Sequence, residues 1–321
     1  MTEPVFHLFG RVPLTPYGLG AAVALLIVLI AAGFLCRRRK IGFGPFISLC
    51  ALAIPLCWLT ARLVYVLANI TYYTRTLGSL GFAGRFWDGG YAMTGALLGL
   101  ILAGALTERL HRLAPGSLQD GLALGLPLGA AVLRQLERGT ALGLGRAIET
   151  PWLAGSPFFA VKDITGATVH AVYNDETVLC LLLFIGLALW LLLRRGNIPR
   201  GDGMLVFLTV YGCAMVVLES LRDDGHLVVH FVRIQQVIAV ILPVVALDVW
   251  SRRLMSRDST KKRQALITWL LFAAAIGLGI VQEFAIDSSE NLWLDYGIMA
   301  ACVVAMAVSA LRIRRLAERA L

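Results

Sequence analysis

The sequence predicts an all-α polytopic integral membrane protein of about nine transmembrane helices, seven in a first block and two appended at the C-terminus. Three observations carry this. Hydrophobic residues make up 58% of the 321-residue chain and charged residues only 15%, with a mean hydropathy of +0.77, far from the balance of a soluble domain. Apolar runs of roughly 17–25 residues, the length that crosses a bilayer core, recur along the chain. Arginines and lysines gather in alternate connections between those runs, as they do in cytoplasmic loops.

The runs fall at 16–36, 46–69, 91–108, 118–133, 177–193, 203–221, 234–250, 265–284 and 292–311. Each is expected to be a helix, because lipid offers no partner to open backbone groups. The first is long, is followed by RRRK (37–40), and lacks both a preceding basic region and a small-residue cleavage site, so it reads as a span and not a cleaved leader. The second carries Arg62 in TARLVYVL. The third follows RFWDGG and precedes Arg109 and Arg112. The fourth is interrupted by Pro127 and several glycines, a pattern tolerated where a helix lines a cavity. Arg194, Arg195 and Arg200 follow the fifth. A basic linker, SRRLMSRDSTKKR (251–263), leads from the seventh to the extra pair at 264–321, whose joining loop EFAIDSSEN (283–291) is acidic. Arg312, Arg314, Arg315 and Arg319 close the chain. With these basic clusters inside, the N-terminus lies outside and the C-terminus in the cytoplasm. The extra pair reads either as an accessory guard or docking element, or as a passive extension.

The formal net charge of +9 is on this reading a topology signal. The charges flank spans and form no soluble basic face, which argues against nucleic-acid binding. Six cysteines (36, 50, 57, 180, 213, 302) lie in or beside apolar runs without CxxC spacing, so neither a disulfide framework nor a zinc site is expected. No Walker loop, GxSxG or HExxH motif is present.

The informative residues are polar ones in the outward half of the membrane, where arginine is disfavoured by topology. The stretch RFWDGGYAMTGALLG (85–99) sets Arg85, Asp88, Gly89 and Gly90 at the mouth of an apolar span. A charge there needs a polar partner, and the glycine pair permits a tight turn or close approach to a ligand. Arg62 sits within a span. Arg134, Glu137, Arg138 and Arg146 follow the fourth. His170, Asp175 and Glu176 precede the fifth. Tyr211, Glu219 and Arg222 belong to the sixth, and Arg233 and Gln236 open the seventh. Arginine suits bidentate recognition of phosphate. The set implies a cavity for an anionic lipid or lipid phosphate.

These residues also carry a resemblance. RFWDGG with its glycine-containing span resembles the prolipoprotein diacylglyceryl transferase family, as does Tyr17-Gly18 at the first span. ARLVYVL (61–67) is similar to the family's Gly-Arg-x-x-Tyr-Val segment. DGLALGLPLGAAVLRQLERG (120–139) resembles its signature, placing Asp120, Pro127, Gly129 and Arg134, with Arg146 downstream. HAVYNDE (170–176) matches at His170 and Glu176. GDGMLVFLTVYGCAMVVLESLRDD (201–224) matches at Gly203, Tyr211-Gly212, Glu219 and Arg222, and RIQQVIAV (233–240) at Gln236. The likeness covers about residues 14–250, so 1–250 is expected to be the family-like membrane domain, with an extracytoplasmic loop at 135–175 forming a small cap.

The resemblance implies transfer of a diacylglyceryl group from phosphatidylglycerol to the lipobox cysteine thiol of a preprolipoprotein, at the outer face of a bacterial plasma membrane. It implies Arg134, Glu219, His170 and Tyr17 as catalytic, with His170 or Glu219 as candidate base. Arg62, Arg85, Asp88, Gly89, Gly90, Thr94, Glu137, Arg146, Tyr211, Arg222, Arg233 and Gln236 are implied as substrate-binding. Expected partners are phosphatidylglycerol or another anionic lipid and preprolipoprotein signal peptides, with no metal and no cofactor. Several positions depart from the family: Thr94 stands where it carries a catalytically central His, Met215 where it carries an essential Arg, Glu137 where its signature has Asn, Ala171 and Tyr173 where it has Pro and Gln, and Thr15 or Pro16 where a His often precedes Tyr-Gly. Threonine has no titrating imidazole. Arg233, one span from Met215, is a candidate to return a guanidinium to the cavity. The other reading is an accessory family member that binds lipid or lipoprotein without transfer.

Overall fold

The computed structural model describes residues 6–8, 12–148, 150–193, 198–224, 228–229, 232–286 and 291–319. Arg194 and Arg195, and residues 287–290 of the acidic loop, fall outside them. Among the described residues the chain is nearly all helix, with three short antiparallel hairpins. Residues 1–204 with 223–234 form one compact unit, and 205–222 with 235–321 form a second.

In the first unit a hairpin, β1 (Phe6–Leu8) and β2 (Val12–Leu14), leads into α1 (Pro16–Arg38). The Thr15 hydroxyl accepts from Gly18 N at 3.1 Å, and Pro16 occupies the first helical position. Both are start signals, one satisfying an orphan donor and the other fixing φ. Then come α2 (Phe43–Ala68), α3 (Met93–Leu110), α4 (Gln119–Gln135), a short α5 (Pro151–Ala154), the ladder β3 (Ala160–Lys162) with β4 (Thr168–His170), and α6 (Val172–Leu193). The last of these starts five residues before the apolar run that predicts it. Hydropathy finds where the polar residues stop, whereas the helix includes Asn174, Asp175 and Glu176 in its first turns.

Glycine sets the helix spacing. On α4, Gly121, Gly125 and Gly129 lie one turn apart on a single face, against Ala32, Val28 and Ala24 of α1 in reverse order. A Cβ at Gly125 would stand 2.6 Å from Val28 Cα, and one at Gly121 3.0 Å from Ala32 Cα. On α3, Gly95 and Gly99 meet Ala61 and Cys57 of α2 in the same way, each added Cβ 2.7 Å from a Cα. Small residues four apart let backbones touch where no hydrophobic effect drives helices together in lipid. The glycines read from sequence as interruptions are therefore a packing seam, and α4 runs unbroken through Pro127.

Among the described residues, eight of the nine long helices are long and apolar enough to cross a membrane. The exception is α4, with 17 residues, thirteen of them buried. At about 25 Å it falls short of a hydrocarbon core of about 30 Å, and it is wrapped by protein. Its start is tied down by acids. Glu108 accepts from Gly116 N at 2.9 Å and Leu118 N at 2.7 Å. Asp120, fully buried, accepts from Gly201 N and Gly203 N at 3.0 and 2.7 Å and pairs with Arg39 at 2.7 Å.

The second unit comprises α7 (Asp202–Leu221) from residue 205 onward, α8 (Ile234–Arg257), α9 (Lys262–Ile286) and α10 (Leu292–Arg319). Pro243 removes the N–H that would bond the Ala239 carbonyl. Gly212 packs directly on that point, an added Cβ lying 2.6 Å from Ala239 O. The two appended helices form a hairpin bridged by Gln282 and Asp295. They are also sewn to their neighbours. Trp269 Nε1 donates to Ser251 Oγ at 3.1 Å, Arg257 to Ala317 O at 2.9 Å, and Tyr296 Oη to Ser220 O at 3.2 Å.

The seam makes a prediction. Gly125→Ala should lower the thermal stability of the detergent-solubilised protein by about 1–3 kcal/mol, the usual cost of overpacking. Gly277→Ala, where a Cβ meets nothing within 4 Å, should leave it unchanged or raise it by up to about 1 kcal/mol through helix propensity. Thermal melts of both variants check the pair.

Candidate functional site

The RFWDGG stretch is organised from beneath by Arg62. Gly89 and Gly90 both take left-handed φ, +77° and +79°, which turns their carbonyls toward α2. The Arg62 guanidinium, 8% exposed, donates from Nε to Ala83 O at 3.0 Å, from Nη1 to Gly89 O and to Gly90 O (3.1 Å), and from Nη2 to Arg85 O at 3.0 Å. The Tyr73 and Tyr91 rings lie 5.8 and 5.9 Å from its central carbon. A Cβ at Gly90 would strike Tyr65 and stand 2.9 Å from Arg62 Nη1. Arg62 thus directs donors to four main-chain carbonyls.

The residues above this clasp are open. Arg85 is exposed with its guanidinium 4.4 Å from the Phe82 ring centre, and Asp88 is exposed in a short 3-10 turn. Phe86 packs edge-on between Trp58 and Trp87, at 5.1 and 4.8 Å. Tyr91 Oη accepts from Trp58 Nε1 at 3.0 Å and donates to Phe86 O at 2.7 Å. Thr94 opens α3, and its buried Oγ1 has no hydrogen-bond partner among the described residues.

The second cluster lies where α4 ends and α6 begins. Arg134, 3% exposed, is in the last turn of α4, where a cation suits the helix dipole. Its Nη1 meets Glu137 Oε1, and its Nε lies 2.5 Å from Glu176 Oε2. Both carboxylates are buried, Glu137 at 4% and Glu176 at 1% exposed. Gln135 Nε2 reaches Asn174 Oδ1 at 2.9 Å and Thr177 Oγ1 at 2.8 Å, closing the same junction. One guanidinium thus serves two carboxylates.

His170 ends β4 and its Nε2 lies 2.8 Å from Asp175 Oδ2, a ring held by a carboxylate in the manner of an oriented base. Arg233 pairs with Asp224, Nη1 to Oδ1 at 3.5 Å and to the carbonyl at 3.0 Å. Asp224 Oδ2 in turn accepts from Gly143 N at 2.7 Å. Arg233 therefore braces the segment following α4. Arg146 and Tyr17 are half-buried. In the second unit, Glu219 and Arg222 are both buried and lie 3.5 Å apart. Tyr211 stacks on Phe207 at 5.2 Å, Gln236 Nε2 donates to Val216 O at 3.2 Å, and Met215 is buried.

Several partners were left without a role by the sequence. Glu176 and Asp175 act as countercharges for Arg134 and His170, and Asp224 for Arg233. Glu108 and Asp120 pin the start of α4. The adjacent acids of HAVYNDE were the available signal for the first two, since acids favour a helix N-terminus. All six cysteines are free thiols.

Comparison with known proteins meets this geometry. The prolipoprotein diacylglyceryl transferase family model matches residues 4–252. The chain is 28% identical over 264 residues to the phosphatidylglycerol–prolipoprotein diacylglyceryl transferase of Bacillus velezensis, covering 81% of this chain and 95% of that one. The corresponding proteins of Geobacillus kaustophilus (29% over 252 residues, 77% and 91% covered) and Listeria monocytogenes (28% over 251 residues, 77% and 88% covered) are similar to it to the same degree.

The clasp is testable by keeping its charge and removing its fork. Arg62→Lys replaces a planar five-donor group with a point charge. It should destabilise the protein by about 2–4 kcal/mol through lost charged hydrogen bonds and open the 83–90 loop to trypsin at Arg85. Melting and limited proteolysis read both; an unchanged cleavage rate would show that the loop holds itself.

Proposed function

The chain belongs to the prolipoprotein diacylglyceryl transferase family, and we propose that it moves the diacylglyceryl group of phosphatidylglycerol onto the lipobox cysteine of preprolipoprotein signal peptides. The observation that carries this reading is Arg134, a guanidinium buried at one end of an apolar bundle and fixed on a short, mostly buried helix. The reaction asks for such a group. The cysteine sulfur bonds to the glyceryl carbon, the carbon–oxygen bond to phosphate breaks, and the phosphate gains negative charge as glycerol phosphate leaves. A preorganised guanidinium at that oxygen stabilises the developing charge in a place where water does not compete. The nucleophile is the thiolate, so a proton acceptor is needed near the same point, and His170 held by Asp175 is one candidate.

The remaining assignments follow from placement. The exposed Arg85 and Asp88 above the Arg62 clasp form a polar rim for an anionic headgroup. Arg146 lies on the segment that runs from α4 into the β3–β4 head. On the topology read from the basic loops, this end faces outward, with the N-terminus outside and the C-terminus in the cytoplasm. Tyr17, Tyr211, Glu219, Arg222 and Gln236 are assigned to the same reaction by the family resemblance of their segments, and other anionic lipids are further candidate ligands. Residues 1–250 form the transferase-like membrane domain on this reading, and 264–321 an additional helix pair. A lipid-binding member without transfer is the second reading, favoured by the buried Met215.

The test is transfer itself. Purified protein is given vesicles of phosphatidylglycerol labelled in the diacylglyceryl part and a lipobox peptide, and label on peptide is counted. Arg134→Lys should lower kcat by at least about 10²-fold, the usual loss for a transition-state donor. Arg109→Ala, an exposed residue at the far end of α3, should stay within about 2-fold, as surface changes do. Label that never leaves the lipid, with lipid still bound, establishes the second reading.

A further inference from the structure

The head between α4 and α6 carries an apolar run that its own fold does not bury. Pro157, Phe158 and Phe159 are all exposed, the two rings at 40% and 37%. Trp152 on α5 is exposed further, at 69%. Three consecutive exposed apolar residues are a liability on a water-facing surface and signal a partner. The two phenylalanine rings meet edge-on, 5.1 Å apart at 87°, and so present one aromatic patch.

What the patch rests on identifies the partner. Asn174, in the first turn of α6, donates from Nδ2 to Phe158 O at 2.6 Å, and Ala171 N donates to Phe159 O at 2.8 Å. The run is thus bound to the start of a helix long and apolar enough to span a membrane. Asn174 heads a stripe along α6 at steps of three and four, continued by Val178, Leu182, Ile185, Leu189 and Leu193, which are all exposed. These positions share one face of the helix. The opposite face, with Cys180, Leu183, Leu187 and Leu191, is buried. An exposed apolar stripe on a spanning helix faces lipid. The patch is therefore tied to α6 about one turn, some 5–6 Å, before the first lipid-facing residue of the stripe. That is the level at which aromatic side chains bridge hydrocarbon and headgroups.

We propose that the 157–159 run is a membrane anchor of the head, with the Phe158 and Phe159 rings set in lipid at the boundary of headgroup and acyl chain, beside the exposed face of α6. The partner is the bilayer surface itself. The anchor also fixes a depth for its neighbours. The Phe159 ring centre lies 6.5 Å from that of His170, and Ala160 pairs with His170 across the β3–β4 ladder. His170 and the Asp175 that holds it are thereby kept at the level of the lipid headgroups. The anchor does not depend on the transferase reading, since it follows from exposure and helix register alone.

The experiment places a fluorescent thiol label at Phe158→Cys, at Phe159→Cys and, for comparison, at Leu182→Cys, about 12 Å further along α6 than Asn174. Cys50, the half-buried native thiol, is replaced by alanine in all three; the other five are buried. Each full-length protein is reconstituted in vesicles of phosphatidylglycerol and phosphatidylcholine that carry a nitroxide either at the headgroup or deep in the acyl chain. Labels at 158 and 159 should lose more fluorescence to the headgroup nitroxide than to the deep one, and the label at 182 should show the reverse order. Quenching at 158 and 159 by aqueous iodide alone places the patch in water and overturns the anchor. A deep nitroxide that outdoes the shallow one there overturns the stated depth and the proposal with it. Lipid quenching that is displaced by a saturating lipobox signal peptide marks a peptide groove and also overturns it. If both labelled variants lose the parent's melting transition, the rings are packing elements of the head and the proposal falls. None of these outcomes bears on the transfer assay, which tests the other reading separately.

Discussion

A guanidinium placed inside an apolar bundle costs several kcal/mol unless the protein brings its countercharge along. Several of this chain's buried arginines are arranged around that constraint. Arg134 meets two carboxylates, Arg233 meets Asp224 and a carbonyl, Arg222 meets Glu219, and Arg62 meets four backbone oxygens. The partners come from different elements in most cases, so satisfying the charge also fixes the fold. Glu176 brings the start of α6 to the end of α4, and Asp224 brings the far end of the first unit's chain to Gly143.

The helix that holds Arg134 is suited to the task by being short and enclosed. It has acid at its start and base at its end, both in keeping with its dipole. Its glycine face rests directly on α1, so the position of Arg134 relative to α1 is set by backbone contact and not by flexible side chains. The catalytic role proposed for Arg134 needs placement to a fraction of an ångström, and this is a rigid way to supply it.

Sequence carried the membrane class, the helix order and the family, because apolar length and basic loops are properties of the chain read one residue at a time. It also carried which residues are unusual. It did not carry who pairs with whom. Arg62 and Arg134 look alike as isolated intramembrane arginines, yet one serves carbonyls made available by two left-handed glycines and the other serves acids 3 and 42 residues away. Pairings of that kind depend on register between helices, which hydropathy does not encode. The glycines of α4 were misread for the same reason. A glycine that breaks a helix and one that seats it against a neighbour are identical in sequence, and only the matching small face on α1 tells them apart.

The Arg62 hydrogen bonds of the clasp beneath RFWDGG go to main-chain oxygens and to no side chain. Ala83, Arg85, Gly89 and Gly90 each contribute a carbonyl oxygen, a group that any amino acid supplies. The shape of the rim is thereby separated from its chemistry. Apart from the two glycines, whose backbone angles are required, the loop is free to change the side chains it shows to the membrane surface while keeping its form. Substitutions at exposed positions such as 85 and 88 can therefore accumulate without refolding the loop, so the charge of its outer face is open to change by surface substitution alone.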